Sequence, residues 1–284
     1  MTALNKNSKY KLVNGIEMPI IGLGTWKMIE GDEIENAVRD ALDVGYRMFD
    51  TAMIYKNEKG LGKALEKYGL LREEFFVTTK VWNTDQGYEN TKKAIDVSLA
   101  QLGLPYVDLY LVHWPTASED VKVSLNKREE TWRAMEEIYT SGKAKAIGVS
   151  NFTITHLEEM QKYATIMPMV NQVEFNPFLY QEKLLNYCKK NNILLTAYSP
   201  LVRGKRLTDE KLENIAKKYN KTIPQVMLRW SIQHGVVVIP KTVHKERMIE
   251  NIDIFDFEIS AEDMKTIDLM DENMRLASDP TELL

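Results

Sequence analysis

The chain has 284 residues, 44% hydrophobic and 27% charged, and its 37 basic and 41 acidic residues give a net charge of −4. A slightly acidic chain without blocks of Lys or Arg is a poor nucleic-acid binder. No stretch free of charged residues exceeds 12 residues, which is too short to span a membrane, and the N-terminus lacks the apolar core of a signal peptide. The single cysteine, Cys188, excludes an internal disulfide and any site made of several Cys ligands. We therefore expect a globular protein of the cytoplasm.

The first predicted element is a β-hairpin near the N-terminus. Tyr10–Val13 and Ile16–Met18 flank the pair Asn14-Gly15. This pair is typical of a two-residue type I′ turn, in which both central residues have positive φ. We expect the hairpin to precede the first strand of a barrel and to plug one end of it.

Eight short apolar runs follow, separated by polar loops and amphipathic helices. Most of the runs are continuous rather than alternating, which is typical of parallel strands buried on both faces. The predicted strands are Pro19–Gly22, Met48–Asp50, Phe76–Lys80, Val107–His113, Ala144–Ser150, Met169–Glu174, Ile193–Ala197 and Val236–Ile239.

Helical periodicity fills the gaps between these strands. In Glu33–Val44 the apolar residues recur at helical spacing, and Gly45 follows as a stop signal. Pro224 suits the first turn of a later helix. The other predicted helices are Thr91–Leu102, Glu130–Tyr139, Thr155–Tyr163, Gln181–Lys190, Asp209–Tyr219, Pro224–Gln233 and Lys245–Ile252, with Ala261–Leu269 after the eighth strand–helix unit.

The spacing of the strands indicates the fold class. Successive strands start roughly 25 to 45 residues apart, which is the size of a βα unit. Eight such units favour a (β/α)₈ TIM barrel, an α/β fold, over a doubly wound sheet. The length alone would also suit two domains, but no Pro/Gly/Ser-rich linker marks a boundary. We predict one domain over residues 1–284, with the hairpin as an N-terminal plug and one extra C-terminal helix.

Polar residues stand at the ends of these strands, where such barrels carry their chemistry. Asp50 ends the second predicted strand with Tyr55 just beyond, Lys80 ends the third, and His113 ends the fourth. An ammonium beside a tyrosine stabilises the phenolate and lowers the pKa of the phenol, and a carboxylate keeps that ammonium charged. These residues therefore predict a proton-transfer site. The alternative is a buried Asp50–Lys80 salt bridge beside a tyrosine that takes no part.

Two other kinds of site find little support. His156, His234 and His244 form no H-x-H or H-x-x-x-H pair, so we predict no metal site. Gly22 and Gly24 lack the third glycine and the following helix start of a dinucleotide fingerprint. Any dinucleotide must therefore bind without a Rossmann motif.

Eight ordered motifs carry a resemblance to a known family over essentially the whole chain. They are GLGTWK, DTAMIYKNE, TTKVWN, DLYLVHWP, AIGVSNF, MVNQVEFNP, AYSPL and VVIPKT. With these motifs the chain resembles the aldo-keto reductases. It looks most like the short-looped microbial members, such as glyoxal and 2,5-diketogluconate reductases and prostaglandin F synthase-like enzymes. The resemblance implies a (β/α)₈ barrel that uses NADPH to reduce the carbonyl groups of aldehydes and ketones to alcohols.

The resemblance also implies roles for the polar residues at the strand ends. Tyr55 would be the general acid that protonates the carbonyl oxygen, and Lys80 and Asp50 would lower its pKa. His113 would orient the carbonyl and donate a hydrogen bond to its oxygen. The pocket that receives the substrate would be lined by Trp26, Trp82, His113 and Trp114.

Twelve further residues match family positions that hold the cofactor. Ser150, Asn151 and Gln172 would bind the carboxamide, and Tyr198 would stack on the nicotinamide ring. The loop that follows would cover the pyrophosphate through Ser199, Leu201, Arg203 and Gly204. The contacts to the adenosine 2′-phosphate and the adenine would come from Lys241, Thr242, Arg247 and Asn251.

Two alternatives from other classes stay open at this point. The first is a barrel kept as a binding or regulatory subunit, as in the aldo-keto reductase-like β subunits of channels. The second is a metal-dependent barrel hydrolase, which the shortage of ligands disfavours. For the reductase we expect a small carbonyl compound as the only partner, with no nucleic acid or membrane, and a monomeric protein.

Overall fold

The computed structural model describes residues 4–117 and 121–283. Within these ranges a short antiparallel hairpin precedes an eight-stranded parallel sheet. The hairpin consists of β1 (Lys9–Lys11) and β2 (Glu17–Pro19). The strands of the parallel sheet are β3 (Leu23–Gly24), β4 (Met48–Asp50), β5 (Phe76–Val81), β6 (Val107–Val112), β7 (Ala144–Ser150), β8 (Val170–Glu174), β9 (Leu194–Tyr198) and β10 (Val237–Val238).

The parallel sheet closes into a barrel. Its strands lie in chain order from β3 to β10, each parallel to the next. Ile21, just before β3, forms a parallel bridge with Val238 of β10. The Gly22 N–H donates to the Val238 carbonyl, and the Gly24 N–H donates to the Pro240 carbonyl. The predicted (β/α)₈ barrel is therefore confirmed.

Helices connect the strands of the barrel. They are α1 (Asp32–Val44), α2 (Glu58–Tyr68), α3 (Tyr88–Leu102), α4 (Val121–Thr140), α5 (Ile154–Met160), α6 (Glu182–Lys190), α7 (Glu210–Lys218), α8 (Ile223–Gln233), α9 (Lys245–Ile252) and α10 (Ala261–Asp268). The predicted helices are confirmed to within three residues at each end, apart from α4, which begins well before Glu130. The extra C-terminal helix is α10. Within the described ranges, no helix has the length and apolar character needed to cross a membrane.

Helix α2, for which no bounds are predicted above, contains two glycines. Gly60 and Gly62 lie in its first half, and glycine lowers helix propensity by about 1 kcal/mol relative to alanine. A Cβ atom at Gly62 would lie only 2.0 Å from the carbonyl oxygen of Leu102 at the end of α3. The glycine thus permits a close helix contact that outweighs its poor propensity.

The hairpin is present, but the type I′ prediction is wrong. The Leu12 N–H donates to the Ile16 carbonyl, which leaves a three-residue loop, and the Gly15 N–H donates to the Leu12 carbonyl. Gly15 has φ of 90°, whereas Asn14 keeps a negative φ. The Asn14 side chain accepts a hydrogen bond from the Ile16 N–H, which stabilises this longer loop.

The first barrel strand is also shifted from its predicted position. Pro19 pairs with Lys9 in the hairpin, and the strand that pairs with β4 is Leu23–Gly24 rather than Pro19–Gly22. The apolar run continues through the change of pairing partner, because Ile20 and Ile21, which lie between the two strands, are also buried. Hydrophobicity alone therefore does not locate the strand.

The two ends of the barrel have different roles. The Asn14 amide donates to the carbonyl oxygen of Lys145 near the start of β7, while Leu12 and Met18 are buried in the core. The hairpin therefore covers the amino end of the barrel, as predicted. The carboxyl ends of the strands remain for the polar residues described next.

Candidate active site

Consecutive strands bring the predicted catalytic residues to one place. Asp50 is the last residue of β4, Lys80 is the next-to-last residue of β5, and His113 directly follows β6. Tyr55 ends a 3₁₀ turn, Met53–Tyr55, that follows β4. Because β4, β5 and β6 are neighbours in a parallel sheet, their carboxyl ends meet at the same rim.

A buried ion pair forms the floor of this site. The Lys80 ammonium donates to Asp50 Oδ1 at 2.6 Å and to the Thr51 carbonyl at 2.9 Å, and Lys80 has no exposed surface. The second carboxylate oxygen of Asp50 accepts a hydrogen bond of 2.7 Å from the Gln172 amide. Burial lowers the pKa of Lys80, while its bond to Asp50 opposes that shift. These hydrogen bonds offset the cost of removing both charges from water, so the buried ion pair depends on them.

Tyr55 lies above this pair, with its protonated form strongly favoured. The Lys80 nitrogen is 5.2 Å from the centre of the Tyr55 ring. Burial raises the pKa of Tyr55 well above its ordinary value, and the Asp50 carboxylate raises it further. The net shift is therefore opposite in direction to the one expected from Lys80 and Asp50, because burial raises the pKa of Tyr55 most. Desolvation of the phenolate is the largest cause of this rise.

His113 is neutral in this environment. Burial lowers its pKa well below the ordinary value, and the positive charge of Lys80 acts in the same direction. Its ring meets Tyr55 edge to face at 5.7 Å between centres and Trp82 at 5.0 Å. His113 Nδ1 is buried and has no hydrogen-bond partner among the described residues. A neutral imidazole carries one N–H donor, which suits a carbonyl oxygen.

A second group of polar side chains continues from this floor around the rim. The Asn151 amide donates to the His113 carbonyl at 2.9 Å and to Ser150 Oγ at 3.1 Å, and Ser150 donates to the Gln172 carbonyl. The Tyr198 hydroxyl donates to Asn151 Oδ1 at 2.8 Å. The four residues predicted to bind the nicotinamide and its carboxamide therefore form one connected network. Through Gln172 and His113 this network joins the catalytic group.

The loop after β9 has strained backbone. Ser199, Val202 and Arg203 have φ near 50°, a left-handed conformation that is especially unfavourable for β-branched valine. Val202 is buried, whereas Arg203 and Gly204 are exposed. Strain of this kind persists only when surrounding contacts impose it and is concentrated at ligand-binding segments. Leu201 belongs to the same loop, which contains all four residues predicted to cover the pyrophosphate.

The loop after β10 lies beside the loop after β3, through the bond from Gly24 to Pro240. Lys241 is exposed in it, and Thr242 is buried, with its hydroxyl accepting a bond from the His244 N–H. Arg247 is exposed in the first turn of α9, and Asn251 is buried farther along that helix. Their contacts to the 2′-phosphate and adenine remain predictions.

Several basic side chains around this rim lack an acidic partner. Within the described ranges, no carboxylate forms an ion pair with Lys27, Arg203, Lys241 or Arg247. By contrast, the neighbouring Lys245 pairs with Asp40 and Asp43 on α1. Unpaired cations on adjacent loops suit a ligand with several phosphate charges.

The tryptophans predicted to line the substrate pocket differ in their surroundings. Trp82 packs edge to face against the His113 ring, and Trp114 follows His113, with its carbonyl held by the Gln86 amide. Trp26 is 38% exposed, and its ring faces the guanidinium of Arg203 from the loop after β9. Contact of all three with a substrate remains a prediction.

Sequence reasoning missed two buried residues that support the site. The Asn57 side chain is fully buried and forms hydrogen bonds with the Thr51 hydroxyl and with the carbonyls of Thr25 and Met28. The Glu174 carboxylate, at the end of β8, accepts the backbone N–H groups of Leu276 and Ala277 and so anchors the C-terminal segment. Glu174 was detectable as an acidic residue at a strand end, whereas no local pattern singles out Asn57.

A family model described as "Aldo/keto reductase family" matches residues 20–272. The chain belongs to the aldo/keto reductase family. It is 53% identical over 274 residues to the glyoxal reductase of Bacillus subtilis, covering 96% of each chain. It is 42% identical over 272 residues to the methylglyoxal reductase DkgA of Yersinia pestis, covering 95% of each.

Solved structures agree with this membership. An aldo-keto reductase of Bombyx mori in complex with NADP has a TM-score of 0.88 and 34% identity, with 97% of this chain and 96% of that chain covered. The predicted resemblance to microbial members of the family is therefore confirmed. The metal-dependent hydrolase alternative is set aside, and the enzyme is an oxidoreductase of this family.

Proposed function

We propose that this aldo-keto reductase reduces aldehydes and ketones to alcohols with NADPH, and that Tyr55 is the general acid. The observation that carries the proposal is that the Asp50–Lys80 pair, the protonated Tyr55 phenol and the neutral His113 lie close together at one rim of the barrel. A proton donor and a hydrogen-bond donor thus lie on the same side of the rim. This is the arrangement that carbonyl reduction needs.

The cofactor prediction, NADPH, is confirmed at the level of the family. The residues present fit such a ligand, since polar side chains of the Asn151 network and unpaired cations on three neighbouring loops share the rim. When bound, NADPH supplies a hydride to the carbonyl carbon. Which of the predicted residues contact it is part of this proposal.

The remaining steps belong to the side chains of this chain. His113 donates its single N–H to the carbonyl oxygen and thereby polarises the carbonyl group. Tyr55 transfers its proton to that oxygen as negative charge develops there, and the Lys80 ammonium stabilises the resulting phenolate. Asp50 holds Lys80 in place and compensates its charge in the dry interior. The phenolate then regains a proton from solvent, so the enzyme returns to its starting state.

We propose small reactive carbonyl compounds, such as methylglyoxal and nitrobenzaldehydes, as substrates. The expected pocket wall is aromatic and has few specific polar groups, and apolar contacts discriminate by only about 1–3 kcal/mol per group. Relatives with 42% to 53% identity bear the names of methylglyoxal and glyoxal reductases. Activity on several such compounds is expected, whereas activity confined to one sugar or one steroid would contradict this substrate class.

The test is an assay of NADPH oxidation with this panel of carbonyls, in the wild type and in Tyr55→Phe. General acid catalysis typically contributes ~10²–10⁴-fold, so the variant should lose activity by that order while NADPH binding, followed by fluorescence quenching, changes little. A Tyr55→Phe enzyme within twofold of the wild type would overturn the assignment. A wild type that binds NADPH but reduces none of the carbonyls would favour the regulatory-subunit alternative.

The wider assignments are proposals of the same kind. We propose a cytoplasmic monomer that forms one domain over residues 1–284. Light scattering at micromolar concentration should give a mass near 32.8 kDa, and unfolding in urea should show one transition. A dimer mass or two separate transitions would contradict these assignments.

A further inference from the structure

The segment that carries Tyr55 is a short loop closed by a side-chain hydrogen bond. The Thr51 hydroxyl donates to Asn57 Oδ1 at 2.8 Å. This hydrogen bond closes the loop of residues 51–57, which includes Tyr55. Within it, Lys56 has φ of 58°, a left-handed conformation that is uncommon for lysine. Such a conformation is unfavourable and persists only where neighbouring contacts impose it.

Asn57 provides contacts that impose this conformation. It is fully buried, and its amide nitrogen donates to the Thr25 carbonyl at 2.9 Å and to the Met28 carbonyl at 3.1 Å. Both N–H groups and the oxygen are therefore used. The two carbonyls lie on either side of Trp26, so one side chain ties the loop after β3 to the loop of Tyr55.

The same residues hold the ion pair below Tyr55. The Thr51 carbonyl accepts a hydrogen bond from the Lys80 ammonium. The N–H and the hydroxyl of Thr25 both donate to the carbonyl of Asp50, at 2.9 and 3.0 Å. Asn57 therefore bonds directly to Thr51, whose carbonyl accepts from Lys80, and to Thr25, which donates to the backbone carbonyl of Asp50.

We propose that Asn57 is a positioning residue for the reduction, which sets the place of the Tyr55 phenol relative to the Asp50–Lys80 pair. This inference rests on the proposed function. Without the Asn57 amide, the left-handed turn at Lys56 relaxes and the phenol moves away from the reacting oxygen. A displacement of about 1 Å can cost 10²-fold in rate.

The test compares Asn57→Ala with Asn14→Ala as a matched control. Asn14 makes a similar set of bonds, to the Lys145 carbonyl, the Tyr139 hydroxyl and the Ile16 N–H, but at the opposite end of the barrel. Single-turnover oxidation of NADPH with saturating methylglyoxal is measured well below the melting temperature of each variant. We expect a loss of at least tenfold for Asn57→Ala and of less than twofold for Asn14→Ala, with NADPH affinity little changed in both.

A general structural role is separated from positioning by repeating the substitution in a Tyr55→Phe background. If Asn57 acts through Tyr55, its removal adds little there, because interacting residues are not additive. An equal loss in both backgrounds, or a loss below twofold for Asn57→Ala in the wild-type background, overturns the proposal. Thr51→Val, which removes only the hydroxyl that Asn57 accepts, should show a smaller loss in the same direction and serves if Asn57→Ala does not fold.

The two hypotheses fail in different ways. A Tyr55→Phe enzyme as active as the wild type refutes the general-acid assignment and the Asn57 inference with it. A strongly impaired Tyr55→Phe together with a fully active Asn57→Ala refutes the Asn57 inference alone.

Discussion

The guanidinium carbon of Arg203 lies 4.6 Å from the centre of the Trp26 ring. The ammonium of Lys27 also approaches this ring, at 4.5 Å. Arg203 belongs to the strained loop after β9, and Trp26 belongs to the loop after β3. A cation–π contact thus joins two loops across the rim of the barrel, and one of them is the loop predicted to cover the pyrophosphate.

Loss of this contact should speed the release of the cofactor. A cation–π interaction at an exposed site contributes about 0.5–1 kcal/mol, so Trp26→Ala should increase the dissociation rate of NADPH about two- to fivefold. Stopped-flow fluorescence measures this rate directly. Trp82→Ala is the control, because Trp82 contacts His113 and not Arg203, and should alter KM for the carbonyl instead. Equal dissociation rates for Trp26→Ala and the wild type would show that the contact does not hold the loop.

The choice of cofactor should depend on Arg247. Its side chain is exposed in the first turn of α9 without an ion-pair partner in the described ranges, where helix N–H groups also favour an anion. Arg247→Ala should weaken NADPH binding by about 1–3 kcal/mol, the usual loss for a charged hydrogen bond, and leave NADH nearly unchanged. Lys245→Ala, on the same turn but paired with Asp43, is the matched control.

Titration of both cofactors with each variant, at low and at high salt, decides the question. The loss for Arg247→Ala should shrink as salt rises, because screening weakens the wild-type contact. Equal losses for NADPH and NADH would mean that Arg247 holds the adenine or the fold rather than the 2′-phosphate.

The ion pair should be separable into a structural and a catalytic contribution. Lys80→Met leaves Asp50 buried without its partner, which should reduce the free energy of unfolding by about 3–5 kcal/mol. The double variant Asp50→Asn/Lys80→Met removes both charges and should recover most of that stability. Its reductase activity should nevertheless stay far below the wild type, as measured by urea unfolding and NADPH oxidation. Recovery of both properties would support the simple salt-bridge interpretation.

Stability should fall in mild acid partly because of His113. Burial and Lys80 lower the pKa of this imidazole well below the ordinary value of about 6.5, so in acid the unfolded state takes up a proton that the folded state does not. The free energy of unfolding therefore decreases as pH falls below about 6.5, by at most ~1.4 kcal/mol per pH unit from this residue.

Urea unfolding at pH 7, 6 and 5 checks this dependence. His113→Gln should lose less stability over this interval than the wild type does. The exposed residue His244 provides the control, since His244→Gln should follow the wild-type curve. An unchanged slope in His113→Gln would contradict the proposed burial of a neutral imidazole.

The barrel and the polar residues at its rim could be predicted from the sequence alone. Apolar runs at regular spacing define parallel strands, and residues that follow such runs must meet at one edge, so Asp50, Lys80 and His113 were predictable neighbours. Stop signals such as Gly45 also marked helix ends, because a left-handed residue after α1 favours glycine. These features depend on local patterns that a linear chain displays directly.

Other features depend on contacts between segments that are distant in the chain. The pKa direction of Tyr55 depends on how densely other segments surround it, because burial is the largest cause of its rise. The partners of Asn57 include Thr25 and Met28, 32 and 29 residues away in the chain, and Arg203 meets Trp26 from the opposite half of the sequence. Desolvation and long-range hydrogen bonds depend on which surfaces the closed barrel brings together, and no local pattern of residues encodes that juxtaposition.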